Sequence, residues 1–196
     1  MEITLVRHGK TAPVDGRLIS GRELGDWVKR YNEVGITREL APPQRVQQLA
    51  ASARYVLASD LRRSIESAQW LASQDDVQID RELREAVLPD RIGPSLRLPP
   101  KAWVVIARVA WWLDWCQSSE TKEATRQRAS RVADRLSGSA AQHGAVLVVG
   151  HGTFNRFIAT QLLSRGWRGP RLLSGAYWAA SRFVRVDPES RPSAGR

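Results

Sequence analysis

The stretch ITLVRHGKTA, residues 3–12, contains a short apolar run that ends abruptly in an arginine, a histidine and a glycine. A second stretch, VLVVGHGTFN at residues 146–155, repeats this pattern and places His151 between two glycines. Both apolar runs predict buried strands, which are typically rich in valine, isoleucine and leucine. Two of the three histidines in the chain therefore stand at the ends of predicted strands, where a rigidly held side chain can still meet solvent.

Around these two strands, the apolar spacing predicts an alternation of strands and helices. The predicted strands are 2–6, 54–59, 77–79, 145–149 and 176–186 (the last a strand or hairpin), and the predicted helices are 20–36, 44–53, 59–74, 101–116, 119–141 and 153–166. This alternation is typical of an α/β fold, here a three-layer sandwich whose mostly parallel central sheet is flanked by helices on both faces. Ligands of such sheets bind beyond the carboxyl ends of the strands, where Arg7, His8 and His151 are predicted to lie.

Residues 1–186 are predicted to form a single domain. Residues 86–118 include an aromatic helix that does not fit the alternation, and they are predicted to be a small helical cap insertion. Residues 187–196 are polar and rich in proline, serine and glycine, and they are predicted to be a disordered tail.

The composition suits one globular domain, because 42% of the 196 residues are hydrophobic. Cys116 is the only cysteine, which excludes an internal disulfide and fits a reducing compartment. The N-terminus lacks the pattern of a signal peptide, and the apolar segment 102–115 is too short and too charged to span a bilayer. We therefore expect a cytoplasmic protein with no membrane partner.

The chain has a formal net charge of +10, and its cations are almost all arginines. One explanation for this excess is the base composition of the genome, with the arginines lying on a solvated surface. The other is a preference for anionic partners, because the planar guanidinium binds phosphate or carboxylate in a bidentate manner. The cations are scattered, and the sequence has neither zinc-finger spacing nor the aromatic run of an RNA-recognition motif. We therefore expect a small phosphorylated substrate and no nucleic-acid partner.

Four elements, LVRHGKT (5–11), ASDLRRS (58–64), LREA (83–86) and VGHG (149–152), resemble in this order the motifs of the histidine phosphatase superfamily. That family includes the cofactor-dependent phosphoglycerate mutases and many small phosphatases. The resemblance covers most of residues 2–160. It implies a phosphoglycerate mutase-like fold and the hydrolysis of a phosphomonoester through a phosphohistidine intermediate.

The resemblance also implies the role of each motif residue. His8 would attack phosphorus, because a neutral imidazole is a nucleophile that the dianionic phosphomonoester does not repel. Arg7 and Arg63 would bind the transferring phosphoryl group and stabilise the charge on its equatorial oxygens. His151 would serve as the second imidazole donor to the same group.

The choice between Arg62 and Arg63 depends on the family pattern, because helical spacing alone does not separate them. The pattern S-x-L-x-R aligns with Ser59 at its start and Arg63 at its end, so that Arg62 is expected to be a surface cation. Ser59 or Asp60 is predicted to cap the helix that follows, since both residue types favour that position.

The leaving alkoxide needs a proton, which the family takes from a glutamate in an L-x-E element after the third strand. Leu83 and Glu85 match this element, so that Glu85 is implied as general acid in phosphorylation and as general base for the water that releases phosphate. Glu82 is the competing carboxylate, and a solvated loop position is the alternative for either. Histidine and arginine supply the charge, and no cluster has metal-ligand spacing, so that neither a metal nor a cofactor is expected.

The chain departs from the family pattern after RHG. The family often has an asparagine there that contacts phosphate, whereas Val14 stands near the expected place. Thr11 or Ser20 could fill this gap, the latter at a helix start where it forms a capping-box signature with Glu23. Gly152, in the second histidine motif, is a further expected phosphate contact.

The predicted cap determines substrate choice in the family, and here it carries Trp103, Trp111, Trp112 and Trp115. These tryptophans are either core packing for a helix buried on two sides or an aromatic wall for an apolar or ring-bearing leaving group. The oligomeric state is open, and tryptophans exposed on helix 101–116 could serve a homodimer contact.

The chain is short for a glycolytic mutase, which favours a phosphatase. The sequence does not choose between sugar phosphates, nucleotide-like phosphates, cofactor precursors and phosphoproteins (including phosphohistidine) as the substrate.

The most serious alternative is a member of the same fold that binds phosphate through Arg7 and Arg63 with weak turnover or none. A dinucleotide site is disfavoured by an incomplete glycine fingerprint in VVGHGTFNRF, and a cysteine phosphatase is disfavoured because CQSSETK lacks the glycines of a phosphate loop.

Overall fold

The computed structural model describes residues 1–72, 77–90, 92–93, 95–116 and 118–185. The predicted tail 187–196 and the last two residues of predicted helix 59–74 lie outside this part of the chain. The described strands are β1 (Glu2–Arg7), β2 (Ile19–Ser20), β3 (Tyr55–Ala58), β4 (Val77–Ile79), β5 (Arg97–Leu98), β6 (Ala145–Gly150) and β7 (Ala180–Val184). The described α-helices are α1 (Leu24–Glu33), α2 (Gln44–Ser52), α3 (Arg62–Leu71), α4 (Pro100–Trp112), α5 (Lys122–His143) and α6 (Gly152–Ser164).

The central sheet of the described chain has the strand order β4-β3-β6-β1-β7. The first four strands are parallel, and β7 runs antiparallel to β1. Successive strand residues point to opposite faces, so that Ile3 and Leu5 join the apolar core beneath α5 and α6, whereas Val6 and Val149 join the core beneath α2 and α3. The structure thus confirms the predicted α/β sandwich with a mostly parallel sheet.

The register of the sheet brings distant parts of the chain together at its carboxyl edge. Arg7 at the end of β1 is aligned with Gly150 at the end of β6, and the His8 amide donates to the Gly150 carbonyl oxygen at 3.0 Å. On the other side of β6, the Ser59 amide donates to the Val149 carbonyl oxygen at 3.1 Å. The residues that follow three neighbouring strands therefore lie side by side.

A smaller unit, built from two separate segments, has its own apolar core. β2 pairs with β5 in a short antiparallel ladder, and α4 packs against α1 around Trp27, Trp103 and Ala107. The Trp103 indole donates to the Ile19 carbonyl oxygen at 2.8 Å, which ties the two segments together. The described residues of segment 86–118 therefore share an apolar core with the α1 region.

The predicted capping of α3 is wrong. The helix begins at Arg62, and Leu61 occupies the N-cap position in place of Ser59 or Asp60. Both polar side chains make tertiary contacts instead: the Ser59 hydroxyl reaches a histidine, and Asp60 forms a bidentate ion pair with Arg84. Tertiary hydrogen bonds here outweigh the local preference for a cap.

Two further boundaries differ from the prediction because the backbone turns. Helix α4 ends at Trp112 rather than at residue 116, and Asp114 just beyond it has a φ of 58°. Strand β7 begins only at Ala180, since Trp178 has a φ of 60° and redirects the chain. Positive φ values are uncommon outside glycine.

Among the described residues, no helix combines the length and the apolar character needed to cross a bilayer.

Candidate active site

His8 and His151 lie side by side at the carboxyl edge of the sheet. Their ring centroids are 5.2 Å apart, and the rings are tilted by 59°. Both side chains are buried, with 3% and 0% of their surface exposed. The alignment of β1 with β6 thus produces the imidazole pair that the two sequence motifs predicted.

The His8 ring has one tautomer that fits its surroundings. Its Nδ1 lies 2.8 Å from the Gly9 carbonyl oxygen, and because a carbonyl only accepts, Nδ1 carries the proton. The lone pair of the neutral ring is therefore on Nε2. The Gly9 amide donates to the Ser67 hydroxyl at 2.8 Å, and that hydroxyl donates to the Arg63 carbonyl oxygen at 2.6 Å, so that the turn is anchored to α3.

The His151 ring is held from its other side by two hydroxyl groups. Its Nε2 lies 3.0 Å from the Ser59 Oγ and 3.3 Å from the Ser64 Oγ. Its Nδ1 is buried and makes no hydrogen bond within the described part of the chain. If a hydroxyl donates to Nε2, the His151 proton is on Nδ1, where it is available to an acceptor in the site.

The pKa values of both histidines are lowered well below the ordinary value of 6.5. Burial is the main cause for His8, and the charges of Arg63 and Arg7 add to it, while the bond to the Gly9 carbonyl opposes it. Burial also dominates for His151, followed by the charge of Arg63. Both imidazoles are therefore neutral near pH 7, since desolvation and nearby cations disfavour the protonated ring.

Arg7 lies beside the histidine pair on the β1 side. It donates to the Gly175 carbonyl oxygen, and its Cζ lies 4.7 Å from the centroid of the Tyr177 ring. The same ring lies 5.9 Å from the ring of His8. The Arg7 Nε is buried and makes no hydrogen bond with any described residue. Tyr177 therefore contacts a guanidinium and the first histidine together.

Arg63 is the arginine that α3 presents to the site. It is 3% exposed, donates to the Asn32 side-chain oxygen at 3.1 Å, and packs over the Tyr31 ring at 4.7 Å. Its Nε is likewise buried without a hydrogen bond to a described residue. Arg62 is instead exposed and pairs with Glu66 at 2.7 Å. The geometry thus separates the two arginines that helical spacing could not.

Glu85 binds the first turn of α6, directly after His151. One carboxylate oxygen accepts from the Phe154 amide at 2.8 Å, and the other accepts from the Thr153 amide at 3.1 Å. The amino end of a helix attracts a carboxylate, because its first N–H groups lack partners within the helix. Glu82, the competing carboxylate, pairs with surface arginines of α5.

The segment that carries Glu85 is fixed by arginines on three sides. Arg84 forms the ion pair with Asp60, and Arg128 of α5 donates to the Arg84 carbonyl oxygen at 2.9 Å. Arg108 of α4 donates to the Ala86 carbonyl oxygen at 2.9 Å. The position of Glu85 therefore depends on helices from both the sandwich and the smaller unit.

The remaining predicted phosphate contacts lie in different places. Gly152 is next to Arg7, since a Cβ on it would lie 3.6 Å from the Arg7 Nε. Thr11 forms a backbone bridge with Ile36, and within the described residues its hydroxyl makes no hydrogen bond with the site. Ser20 does not fill the gap either, because its amide and hydroxyl both donate to Glu23 at 2.9 Å.

No group of three or more His, Cys, Asp or Glu side chains in the described ranges is arranged to hold a metal ion.

The four tryptophans of the predicted cap divide into two pairs. Trp103 and Trp111 are 2% exposed and pack in the interior, whereas Trp112 and Trp115 are exposed. The Trp112 ring stacks on Phe157 of α6 with centroids 5.4 Å apart. Core packing thus explains the first pair but not the second.

Comparisons with known proteins agree with this arrangement. Residues 3–189 match the histidine phosphatase superfamily (branch 1), and the chain therefore belongs to that superfamily. It is 28% identical over 161 residues to the phosphoglycerate mutase-like protein 4 of Arabidopsis thaliana, a match that covers 77% of this chain and 66% of that protein. The match thus spans slightly less than two thirds of the plant relative.

Solved structures show the same fold. The mycobacterial glucosyl-3-phosphoglycerate phosphatase has a TM-score of 0.60 and 22% identity, with 92% of this chain and 88% of that chain covered. The phosphoserine phosphatase of Entamoeba histolytica, solved with 3-phosphoglyceric acid, has a TM-score of 0.59 and 14% identity, with 93% and 90% covered.

Proposed function

We propose that the protein is a metal-independent phosphomonoester hydrolase that forms a phosphohistidine on His8. The observation that carries this proposal is the state of the His8 ring. Its Nδ1 proton is engaged by the Gly9 carbonyl, its Nε2 lone pair is therefore free, and the ring lies 5.2 Å from a second neutral imidazole. The phosphatases among the related structures support hydrolysis rather than another use of the fold.

In the first step, the His8 Nε2 attacks phosphorus, and the bond from phosphorus to the ester oxygen breaks. The buried Nε groups of Arg7 and Arg63 support this step, because they are donors that lack partners within the described chain, and the Nδ1 of His151 joins them if a hydroxyl donates to its Nε2. Donors fixed in this way stabilise negative charge on the phosphoryl oxygens without reorganisation. A guanidinium pair supplies the positive charge for which other phosphatases use metal ions.

Glu85 completes the cycle in this proposal. The protonated carboxyl gives its proton to the leaving oxygen, and the resulting carboxylate later takes a proton from the attacking water. Water then breaks the phosphorus–nitrogen bond and releases inorganic phosphate. The two amides of α6 support the place of Glu85 in the site, since Thr153 and Phe154 directly follow the turn that carries His151.

Hydrolysis of p-nitrophenyl phosphate by the full chain tests the proposal. We expect turnover by the wild type, a phosphorylated intermediate that is labile to acid and stable to alkali, and loss of both in His8→Ala. His143→Ala is the matched control, because this third histidine stacks on Tyr55 at the end of α5. Turnover by His8→Ala would contradict the role of His8 as nucleophile. No turnover by the wild type on a panel of phosphoesters from about pH 5 to about pH 8 would instead favour a phosphate-binding protein.

The role of Glu85 is tested by changing the leaving group. We expect Glu85→Gln to lower kcat for alkyl phosphates by about 10²- to 10⁴-fold, and to lower it much less for p-nitrophenyl phosphate, whose leaving group needs no proton. Glu82→Gln, in the same segment but paired with surface arginines, is the matched control. Equal losses on both substrates would show that Glu85 acts only as a cap of α6.

A further inference from the structure

Helix α4 is apolar on two opposite faces. Its inner face packs in the protein through Trp103, Ala107, Ala110 and Trp111. Its outer face, which we define as Val105, Ile106, Val109, Trp112 and Leu113 with the adjacent Trp115, is between 40% and 77% exposed. A helix that is apolar all round is normally covered on both sides.

The spacing of the outer face forms one continuous stripe. Val105, Val109 and Trp112 follow one another at intervals of four and three residues, and Ile106 and Leu113 flank them at an interval of seven. This is the pattern by which helices pack against each other along a narrow seam. Lys101 and Arg108 are the charged residues within α4, and neither interrupts the stripe.

The area of the outer face fits a specific protein contact. Its six residues expose on the order of 700 Å² per copy, close to the roughly 800 Å² that each partner buries in a standard interface. A monomer rarely leaves an apolar patch of this size in contact with water.

We propose that the outer face of α4 binds the same face of a second copy of this chain about a two-fold axis. A two-fold axis perpendicular to the helices makes them antiparallel, and this is the orientation that we propose. The large Trp112 and Leu113 near one end of α4 then face the small Ala102 near the other end. Exposed Lys101 likewise lies near Asp114 of the second copy, a carboxylate that pairs with Lys122 of its own chain at 2.6 Å but remains 73% exposed. Both the sizes and the charges of the stripe therefore complement themselves in this orientation.

An anionic membrane is the competing occupant, given the net charge of +10. Helices that lie in a membrane interface place a row of lysines and arginines opposite their apolar face. The side of α4 opposite its outer face is the buried inner face, with Trp103, Ala107 and Trp111. The pattern of α4 therefore favours another helix over a lipid surface.

Sedimentation velocity of the full chain from about 1 to about 100 µM tests the proposal, with an expected dimer dissociation constant of about 10 µM or lower. Val109→Glu places a carboxylate near the centre of the seam on an already exposed position, and we expect a monomer whose thermal midpoint equals that of the wild type at concentrations below the dimer dissociation constant. Leu172→Glu is the matched control, because Leu172 is the most exposed large apolar residue described, at 92%, and lies outside α4. This variant should remain dimeric.

Lys101→Glu tests the orientation of the two helices. It places like charges opposite each other twice in the antiparallel dimer, and we expect the dissociation constant to rise about tenfold at low salt and less at high salt. A wild type that is monomeric at about 100 µM, or a Val109→Glu variant as dimeric as the wild type, overturns the proposal. A monomer that binds phosphatidylserine vesicles through this face assigns the face to membranes instead.

Discussion

At the scale of single residues, Tyr177 is a contact of the candidate site that the motifs did not reveal. Its ring lies against the Arg7 guanidinium and beside the ring of His8, and it therefore limits how either group can move. A stacked guanidinium keeps its hydrogen-bonding edge free for an anion, whereas an unstacked one samples many rotamers. Tyr177 is accordingly a positioning residue for Arg7 in our proposal.

Substitution of Tyr177 separates the ring from the hydroxyl. We expect Tyr177→Ala to raise KM for phosphoesters and the inhibition constant of inorganic phosphate by roughly 2- to 30-fold, the range that a cation–π contact accounts for. Tyr177→Phe keeps the ring and should stay close to the wild type. Steady-state kinetics of both variants measure this difference, and equal effects would assign the role to the hydroxyl rather than to stacking.

At the scale of elements, the turn after β1 depends on a close contact between Gly9 and Trp178. A Cβ on Gly9 would lie 2.5 Å from the Trp178 ring, which is buried and donates its indole N–H to the Leu40 carbonyl oxygen at 3.0 Å. The ring therefore has little freedom to withdraw. The positive φ of Trp178 is a strained conformation next to a functional residue, and the surrounding packing must stabilise it.

We expect Gly9→Ala to lower the free energy of unfolding by about 1–3 kcal/mol and to displace the His8 ring, because overpacking of a buried contact has costs of that order. Urea unfolding followed by a kinetic assay measures both effects. Gly138→Ala is the matched control, since Gly138 lies on the exposed side of α5 with open space around it. That variant should be as stable as the wild type or up to about 1 kcal/mol more stable.

The same elements show what could be predicted from the sequence. The imidazole pair was predictable, because each histidine directly follows a strand and parallel strands end at one edge. The contact of Ser59 with His151 was not, since serine before a helix is also a typical cap. Tyr177 was hidden for another reason: alternation predicts a strand across 176–186, and a tryptophan in the left-handed region is too rare to anticipate. The pairing of β2 with β5 involves two residues on each side and leaves no periodic signal.

At the scale of the whole molecule, the site exists only when the complete sheet has formed. The N-terminal strand β1 pairs with β6, so that Glu2 is aligned with Ala145. His8 and His151 are consequently buried by contacts between segments far apart in the sequence, not by local structure. Their protonation is therefore coupled to global unfolding, and stability should report the state of the site.

This coupling predicts the direction in which stability changes with pH. In the unfolded chain both histidines have a pKa near 6.5, whereas in the folded protein burial holds the pKa of each well below this value. Below pH 6.5 the unfolded chain therefore binds protons that the folded protein does not. The free energy of unfolding consequently decreases as the pH decreases. Each histidine should lower the free energy of unfolding by on the order of 1 kcal/mol as the pH falls from about 7.5 to about 5.5.

The variant His8→Asn isolates one of these two contributions. Asparagine cannot be protonated in this range, so the free energy of unfolding of the variant should fall by on the order of 1 kcal/mol less than that of the wild type over the same pH interval, whatever its stability at pH 7.5. Urea unfolding of both proteins at several pH values measures this difference. The carboxylates that both proteins share contribute equally to the two free energies of unfolding, so their contribution cancels when one is subtracted from the other. An identical pH dependence would mean that the folded protein protonates His8 as readily as the unfolded chain does, and that burial does not keep this ring neutral below pH 6.5.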